Sequence, residues 1–458
     1  MIEPFDPDKS LDSKNYIYNE INLKKEYTFW KILILVSSSI IASIILGIII
    51  IKLSISEYNK NKIEIDCEYR IENLNEINLL SESFKKITNI SIYIGNDLID
   101  YNYIYKFNTD GTHKVKYIIN KKLNMENMFN NITNLISVNI TTKKEGNLYK
   151  SLSKAFSNCT KLENFYSDIN PGNTQNYSYM FSNCTNLSTV IFENFGSSAN
   201  NLSHMFENCT NLTKLKLNKL NTNNVQDMSY MFFNCTKLDL YKEKILEKFN
   251  TSSVQNMSNI FSHCTNLTSL NLKNFNTTNV KDFSSMFENC HNLIDLNLLN
   301  IKTNNALSMF SMFKNCKKLN NINIESFDTS LISNMSYMFY NCHSITKLDL
   351  NHFNISLVRD MSHLFENCKN LLNLNIDSLD TRLVNDMSYM FTNCTKINIL
   401  NISSFNFSLV EDMSFMFAYC DSLKNLTSNS LFIPNNNTKI EHMFENCSKN
   451  IIPSWYEI

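Results

Sequence analysis

Residues 250–275 read NTSSVQNMSNIFSHCTNLTSLNLKNF, and this stretch decides the fold. Val254, Met257, Ile260, Phe261, Cys264 and Leu267 follow at steps of three, three, one, three and three, which places them on one face of a short helix. Leu267, Leu270 and Leu272 then form a Leu-x-x-Leu-x-Leu element whose end alternates like a short strand. Asn274-Phe275-Asn276-Thr277 supplies turn chemistry at the junction with the next unit.

Outward from this unit the wording returns as NTTNVKDFSSMFENCHNLIDLNLLNI, DTSLISNMSYMFYNCHSITKLDLNHF, NISLVRDMSHLFENCKNLLNLNIDSL and DTRLVNDMSYMFTNCTKINILNISSF. Its most regular mark is one cysteine per unit: Cys159, Cys184, Cys209, Cys235, Cys264, Cys290, Cys316, Cys342, Cys368, Cys394, Cys420 and Cys447. The intervals are 25, 25, 26, 29, then six of 26, and 27 residues, with the 29 at Tyr241-Lys242-Glu243-Lys244 marking a surface bulge. A period held that tightly is the signature of a solenoid, in which each unit buries its apolar face against its neighbours. The predicted fold is an α/β repeat solenoid of leucine-rich-repeat type, with a short strand and a short helix in each unit of about 26 residues.

Within each unit Asp227, Asp282, Asp360, Asp386 and Asp412 stand where a carboxylate caps the first free amides of the helix. Asparagine before the cysteine suits the exit, since it tolerates the left-handed conformation; His263 and Tyr419 depart from that rule. A degenerate first unit runs from Met125 to Leu135 with Ile132 in the cysteine position, so the site wants a compact apolar group. The cysteines therefore read as a buried ladder of free thiols. Coils about 4.8 Å apart disfavour consecutive disulfides, which want Cβ atoms about 3.8 Å apart. Without Cys-x-x-Cys pairs or His-x-x-x-His sets, zinc is disfavoured as well, and no metal or cofactor is expected. The Met-Phe pairs, such as Met231-Phe232 and Met390-Phe391, read as core filler. No nucleophile and base pairing, Walker, Rossmann or zinc-protease pattern occurs, so no catalytic residue is assigned.

The 458 residues are 43% apolar and 19% charged, with a net charge of −1 and only six Gly and five Pro. Without a basic excess there is no electrostatic footprint for nucleic acid. Ile32 to Ile51 run twenty residues without a charge, enough for one bilayer crossing, with Lys31, Lys52, Tyr27, Phe29 and Trp30 at its edges. The run is too long for the core of a cleavable signal peptide and no small-residue cleavage site follows, so an uncleaved signal anchor is expected. Flanking lysines nearly balance; the reading places the head inside and the repeats outside, at the plasma membrane. The expected organisation is a head at 1–29, a transmembrane anchor at 30–52, a small β-rich module at 63–120 and, at 121–458, the solenoid of about thirteen units with a terminal cap at Pro453-Ser454-Trp455-Tyr456. In the module, Tyr101–Phe107 and His113–Tyr117 alternate on either side of an Asn-Thr-Asp-Gly turn.

The wording Asn/Asp-Thr-x-x-Val-x-Asp-Met-Ser-x-Met-Phe-x-Asn-Cys-x-x-Leu-x-x-Leu-x-Leu, clearest at Val254–Leu272, Val280–Leu298, Ile332–Leu350, Val358–Ile376 and Val384–Ile402, resembles the BspA-like leucine-rich repeat surface proteins. The resemblance covers roughly residues 121–458. It implies a solenoid on a cell surface, associated in that family with adhesion to host or matrix components, and it implies no enzyme activity.

Alignment of the Leu-x-Leu segments as a parallel sheet puts the intervening residues on one presented face: Lys216, Asn271, Asn297, Asn323, Asp349, Asn375 and Asn401. Thirteen coils extend it for about 60 Å. Such a face suits many shared hydrogen bonds with extracellular protein or glycan surfaces; the competing reading is an asparagine ladder that stabilises the stack. At the level of function, a membrane-anchored recognition or adhesion protein stands first. A structural, self-associating surface-layer protein and an intracellular-facing scaffold are the alternatives. An enzyme would need a pocket with convergent titratable groups, which this wording does not supply.

Overall fold

The computed structural model describes residues 9–60, 62–84, 90–119, 124–142, 151–169, 171–195, 198–240, 244–429 and 432–456. The chain divides into two compact units, 1–61 and 62–458.

The first unit contains α1 (Lys9–Lys60), whose segment Lys24–Ser54 is long and apolar enough to cross a membrane and has none of its apolar window buried. Its hydroxyls fold back on the helix: Ser37, Ser38, Ser39 and Ser43 donate to the carbonyls of Ile34, Leu35, Val36 and Ser39 at 2.8–3.1 Å. These four hydroxyls are thereby satisfied within the helix, as a hydrocarbon surrounding would require. At one edge Lys31 Nζ lies 5.1 Å from the centroid of the Tyr27 ring.

The second unit opens with β1 (Ile63–Ile71), β2 (Glu76–Asn78), β3 (Ile90–Ile94), β4 (Asp97–Ile99), β5 (Ile104–Lys106) and β6 (Gly111–Ile119). Both alternating runs of the sequence contain strands, but these do not pair with each other. β5 pairs with β2, whereas β6 pairs with β1 and β3. On its other edge β1 pairs antiparallel with β7 (Leu135–Thr142), and β8 (Asn164–Ser167), β9 (Thr189–Phe192) and β10 (Lys214–Leu217) follow in parallel. One eight-stranded sheet, in the order β10-β9-β8-β7-β1-β6-β3-β4, thus carries the β-rich segment directly into the repeats. In that segment Tyr69 and Tyr117 are fully buried; their hydroxyls lie 2.7 Å apart and both donate toward the Leu79 carbonyl.

Later coils contribute β11 (Ser269–Asn271), β12 (Asp295–Asn297), β13 (Lys347–Asp349), β14 (Asn373–Asn375), β15 (Ile399–Ile402) and β16 (Asn425–Ser428), paired in parallel two by two. On another side of each coil a column of single parallel bridges links Ser151, Asn176, Asn201, Asp227, Asn256, Asp282, Ser308, Asn334, Asp360, Asp386, Asp412 and Lys439. The architecture is a β-solenoid. The stretch expected to be a short helix in each unit is instead a run of tight turns, and hydrogen bonding gives the reason. In residues 257–264 the N–H groups of Met257, Asn259, Phe261 and His263 donate to carbonyls of the next coil at 2.7–3.1 Å. The alternate N–H groups of Ile260, Ser262 and Cys264 close three-residue-back turns at 3.1–3.3 Å. Asn259 and His263 hold φ of 58° and 62°, the left-handed third residue of such turns. A helix would keep every N–H within its own segment; this backbone spends half of them on its neighbour. Steps of three arise from either geometry, which is why spacing alone pointed to a helix.

The interior consists of columns along the stack. Phe129, Phe156, Phe181, Phe206, Phe232, Phe261, Phe287, Phe313, Phe339, Phe365, Phe391, Phe417 and Phe444 lie with centroids 5.2–6.1 Å apart and planes within 16° of parallel. Tyr117 meets Phe129 edge-on at the first end, and Tyr456 and Trp455 meet Phe444 and Phe432 edge-on at the last. Beside the rings, each of the twelve repeat cysteines donates its thiol to the carbonyl of the phenylalanine of the preceding coil at 2.9–3.2 Å. All are free thiols, and all but the half-buried Cys447 are buried. Removal from water disfavours the thiolate, pushing Cys264 and Cys368 up to about 12. A third column is of buried threonines: Thr303 Oγ1 donates to the Asp328 carbonyl and accepts from its N–H, both at 2.7 Å. Of the bulge, residues 241–243 lie outside the described residues; after Lys244 a 3-10 turn, Ile245–Lys248, buries Ile245 and Leu246.

Candidate recognition face

Alternation along each strand turns the leucines inward and the intervening residues outward. Leu270, Leu296, Leu348 and Leu374 are buried. Lys216, Asn297, Asn323, Asp349 and Asn375 are exposed, and Asn271 and Asn401 are half-buried. Strand pairing sets Asn271 beside Asn297 and Asp349 beside Asn375, with Lys216 beside Ile191. Asn323 lies between these pairs, in a coil joined to the one before it by the Asp295–Asn321 bridge.

The side chains of this column also have local work. Asn271, Asn297, Asn323, Asp349 and Asn401 each accept, through Oδ1, the N–H two residues further on, at 3.0–3.1 Å. These Asx turns end the strand, which accounts for the residue type as well as its regularity. One inter-coil bond is made within the column: Asn375 Nδ2 donates to Asp349 Oδ2 at 2.9 Å, and this bond holds the Asp349 carboxyl below its ordinary range. Around these residues a groove of about 470 Å3 crosses three coils, with Lys347, Asn373 and Glu325 on its rim and Ile322, Ile324 and Leu348 in its floor.

The outward face begins earlier than the repeat wording suggests. Register places Tyr93, Lys116, Asp66, Asn139, Tyr166, Ile191 and Lys216 in one row across β3, β6, β1, β7, β8, β9 and β10. Here the face is zwitterionic: Lys116 Nζ lies 3.1 Å from Glu64 and 3.4 Å from Asp66. The Lys62 bond, with a smaller contribution from Lys116, keeps the Glu64 carboxyl below its usual range.

A second half-exposed column went unread in the sequence. Five residues before the cysteine stand Tyr179, His204, Tyr230, Tyr337, His363, Tyr389, Phe415 and His442, all at positive φ. Their rings stack as Tyr179–His204–Tyr230 and as Tyr337–His363–Tyr389–Phe415–His442, with centroids 4.2–4.8 Å apart. Lys154 and Lys314 lie over Tyr179 and Tyr337 at 5.5 and 5.1 Å. Glu207, Glu366 and Glu445 pair with the three histidines. Three of the eight histidines, which look scattered along the chain, thus share one coil position, and reading each coil position as a column would have shown it. Among the described residues no group of three or more His, Cys, Asp or Glu side chains is placed to hold a metal ion.

Comparison with known proteins agrees with this architecture. The family described as "BspA type Leucine rich repeat region (6 copies)" matches residues 125–239, and the family described as "Mycoplasma protein of unknown function, DUF285" matches 200–321, 271–351 and 343–455. No curated protein matches. Solved structures similar to the chain include the "Crystal structure of TLR13-ssRNA13 complex" (15% identity, 64% of this chain and 40% of that one, TM-score 0.25). Another is the "Functional domain of InlJ from Listeria monocytogenes includes a cysteine ladder" (13% identity, 68% of this chain and 60% of that one, TM-score 0.23). The chain therefore spans less than two thirds of either structure. The DUF285 matches extend over more than half of the chain, so it belongs to that family, and residues 125–239, overlapping the first of them, are BspA-type leucine-rich repeats.

Proposed function

We propose that this protein is a membrane-anchored surface recognition or adhesion protein, held by α1 and binding protein or glycan partners along the outward strand column. BspA-type repeats make interaction scaffolds, and one observation here carries the finer reading. The groove crossing three coils gathers Asn323, Asp349, Asn375, Lys347 and Asn373, so donors and acceptors converge there, and Lys347 and Asn373 on its rim take no part in the Asx turns that end the strands. Shared hydrogen bonds of this kind suit a hydroxyl-rich glycan or an extended polypeptide. The bilayer crossing is supported by the length and apolar character of Lys24–Ser54.

Two experiments test the proposal. An impermeant antibody against a C-terminal tag on intact cells is expected to label them; labelling only after permeabilisation would reverse the orientation and favour the intracellular-facing scaffold. Full-length protein in detergent is expected to bind members of a glycan and matrix-protein array. Lys347→Ala with Asn373→Ala, which removes rim groups without touching the Asx turns, should weaken the captured partner at least tenfold. Unchanged affinity in that variant would discard the groove.

A further inference from the structure

In each coil a β-turn links the threonine column to the valine column. It is closed by Val280 N–H to Thr277 at 3.0 Å, Ala306 to Thr303 at 2.9 Å, Ile332 to Thr329 at 3.0 Å, Val358 to Ile355 at 2.9 Å, Val384 to Thr381 at 3.0 Å and Val410 to Phe407 at 3.1 Å. The third residue of the turn is Ser253, Asn279 and Asn305 in three successive coils, then Leu331, Leu357, Leu383 and Leu409 in the next four. The polar residues tie their coil to the previous one. Ser253 Oγ donates to the Asn223 carbonyl at 2.6 Å, and Asn279 and Asn305 Nδ2 donate to the Ser252 and Thr278 carbonyls at 2.7 Å. Leucine cannot make that bond. Leu331, Leu357 and Leu409 are instead 43%, 45% and 54% exposed, and Leu307, on the adjoining column, is 51% exposed. In the earlier coils those two columns border one groove of about 480 Å3, lined by Gln226, Gln255, Lys281, Ser253, Asn279 and Asn305.

The same turn therefore exists with and without leucine, so the fold does not require it. Four successive coils replace the bonding residue by leucine; Leu331, Leu357 and Leu409 are exposed, and Leu383 between them is half-buried. Such a stripe marks a contact surface rather than a core.

We propose that the stripe is a homotypic contact, packing against the same leucines of a second copy of this chain. Its spacing is the coil spacing, about 4.8 Å, and a second solenoid presents apolar groups at that same spacing. A helix, advancing about 5.4 Å per turn, would drift by roughly 2 Å over four rungs. A two-fold axis pairs the patch with itself. The adjoining column adds Arg359 and Glu411, one charge of each sign, so no single-sign field opposes approach. The exposed apolar area is on the order of 400 Å2, below the ~800 Å2 per partner of a stable interface. Association is accordingly weak in free solution and populated when copies share a bilayer, where tethering raises effective concentration. In this respect the inference rests on α1 being an anchor.

The test uses full-length chains carrying C-terminal donor or acceptor fluorophores in lipid vesicles. Wild-type energy transfer should exceed the random-collision level. The variant Leu331→Asn, Leu357→Asn, Leu409→Asn, which takes its residue from the same column, should lose at least tenfold in association while its melting temperature holds or rises. Wild-type transfer at the random level overturns the proposal. So does an unchanged signal in the variant, which would assign association to another surface, or a lowered melting temperature, which would make the leucines structural. Vesicle flotation reports the anchor independently. If the chain does not float, sedimentation at hundreds of micromolar decides, with dimers for wild type and monomers for the variant expected.

Discussion

At the scale of single residues, the coil depends on left-handed positions. Apart from Lys219 and Lys244, the non-glycine residues with positive φ occur in pairs four apart, such as Tyr337 with Asn341 and His363 with Asn367. The left-handed conformation costs an ordinary L-residue about 1–2 kcal/mol, and asparagine less. The second member of each pair also builds an amide ladder. Asn315 donates to Asn289 at 2.7 Å, Asn341 to Asn315 at 2.6 Å, and His263 accepts from Asn289 at 2.9 Å where asparagine is missing. Asn341→Ala is therefore expected to lose both terms, about 1–3 kcal/mol. Asn341→Gly should recover the backbone part alone, so urea midpoints should fall in the order wild type, Gly, Ala; equal midpoints for Gly and Ala would remove the backbone argument. The asparagine position was legible from its chemistry. The first member of each pair was not, because that position holds tyrosine, lysine, phenylalanine, serine, histidine and asparagine in turn, a mixture with no common left-handed preference, held there by the coil around it.

At the scale of the element, one coil shows why part of the site could be read and part could not. Inward and outward positions on the strand follow from alternation, and Leu270 and Leu348 are buried as expected, while Asn297 and Asp349 face out. The carboxylates thought to cap a helix do cap amides: Asp227, Asp282, Asp360, Asp386 and Asp412 accept the N–H of the serine two residues on, at 2.9 Å. A cap signal announces a turn whether or not a helix follows, and spacing by three does not separate the two. Nor does a period reveal that Asn323 and Asp349 serve their own Asx turns, since that depends on where the strand ends. The cysteine column gives a testable pH dependence. A buried thiol with its pKa raised to about 12 stays protonated in the fold, while in the unfolded chain it ionises near 9. Above pH 9 the unfolded state holds fewer protons, so stability is complete below that pH and declines between about 9 and 12, by roughly 1.4 kcal/mol per pH unit for each thiol. Summed along the column this predicts a steep alkaline unfolding, with thiols inert to a disulfide reagent at pH 8 until denaturant is added. Rapid labelling of more than the half-buried Cys447 under native conditions would contradict it.

At the scale of the whole stack, stability is carried from coil to coil, so where a change falls along the axis matters as much as what it removes. Phe287 lies mid-column, 5.9 Å from Phe261 and 5.6 Å from Phe313, and is fully buried. Phe287→Ala removes both ring contacts and leaves a cavity, at a cost of about 3–5 kcal/mol. Coils on either side meet only through their neighbours, so the defect is expected to uncouple the array into two parts that melt separately, visible as a broadened or two-step urea transition. Trp455 sits at the last end of the ring column, edge-on to Phe432 at 5.3 Å. Trp455→Ala should then fray the final coils alone, raising hydrogen exchange around Phe432 and Phe444 while amides near Phe287 keep their protection. The comparison isolates the nearest-neighbour argument from the size of the side chain removed. If the terminal substitution lowered protection uniformly back to Phe129, the stack would be behaving as one cooperative block, and stability would have to be assigned to the array as a whole rather than to its successive interfaces.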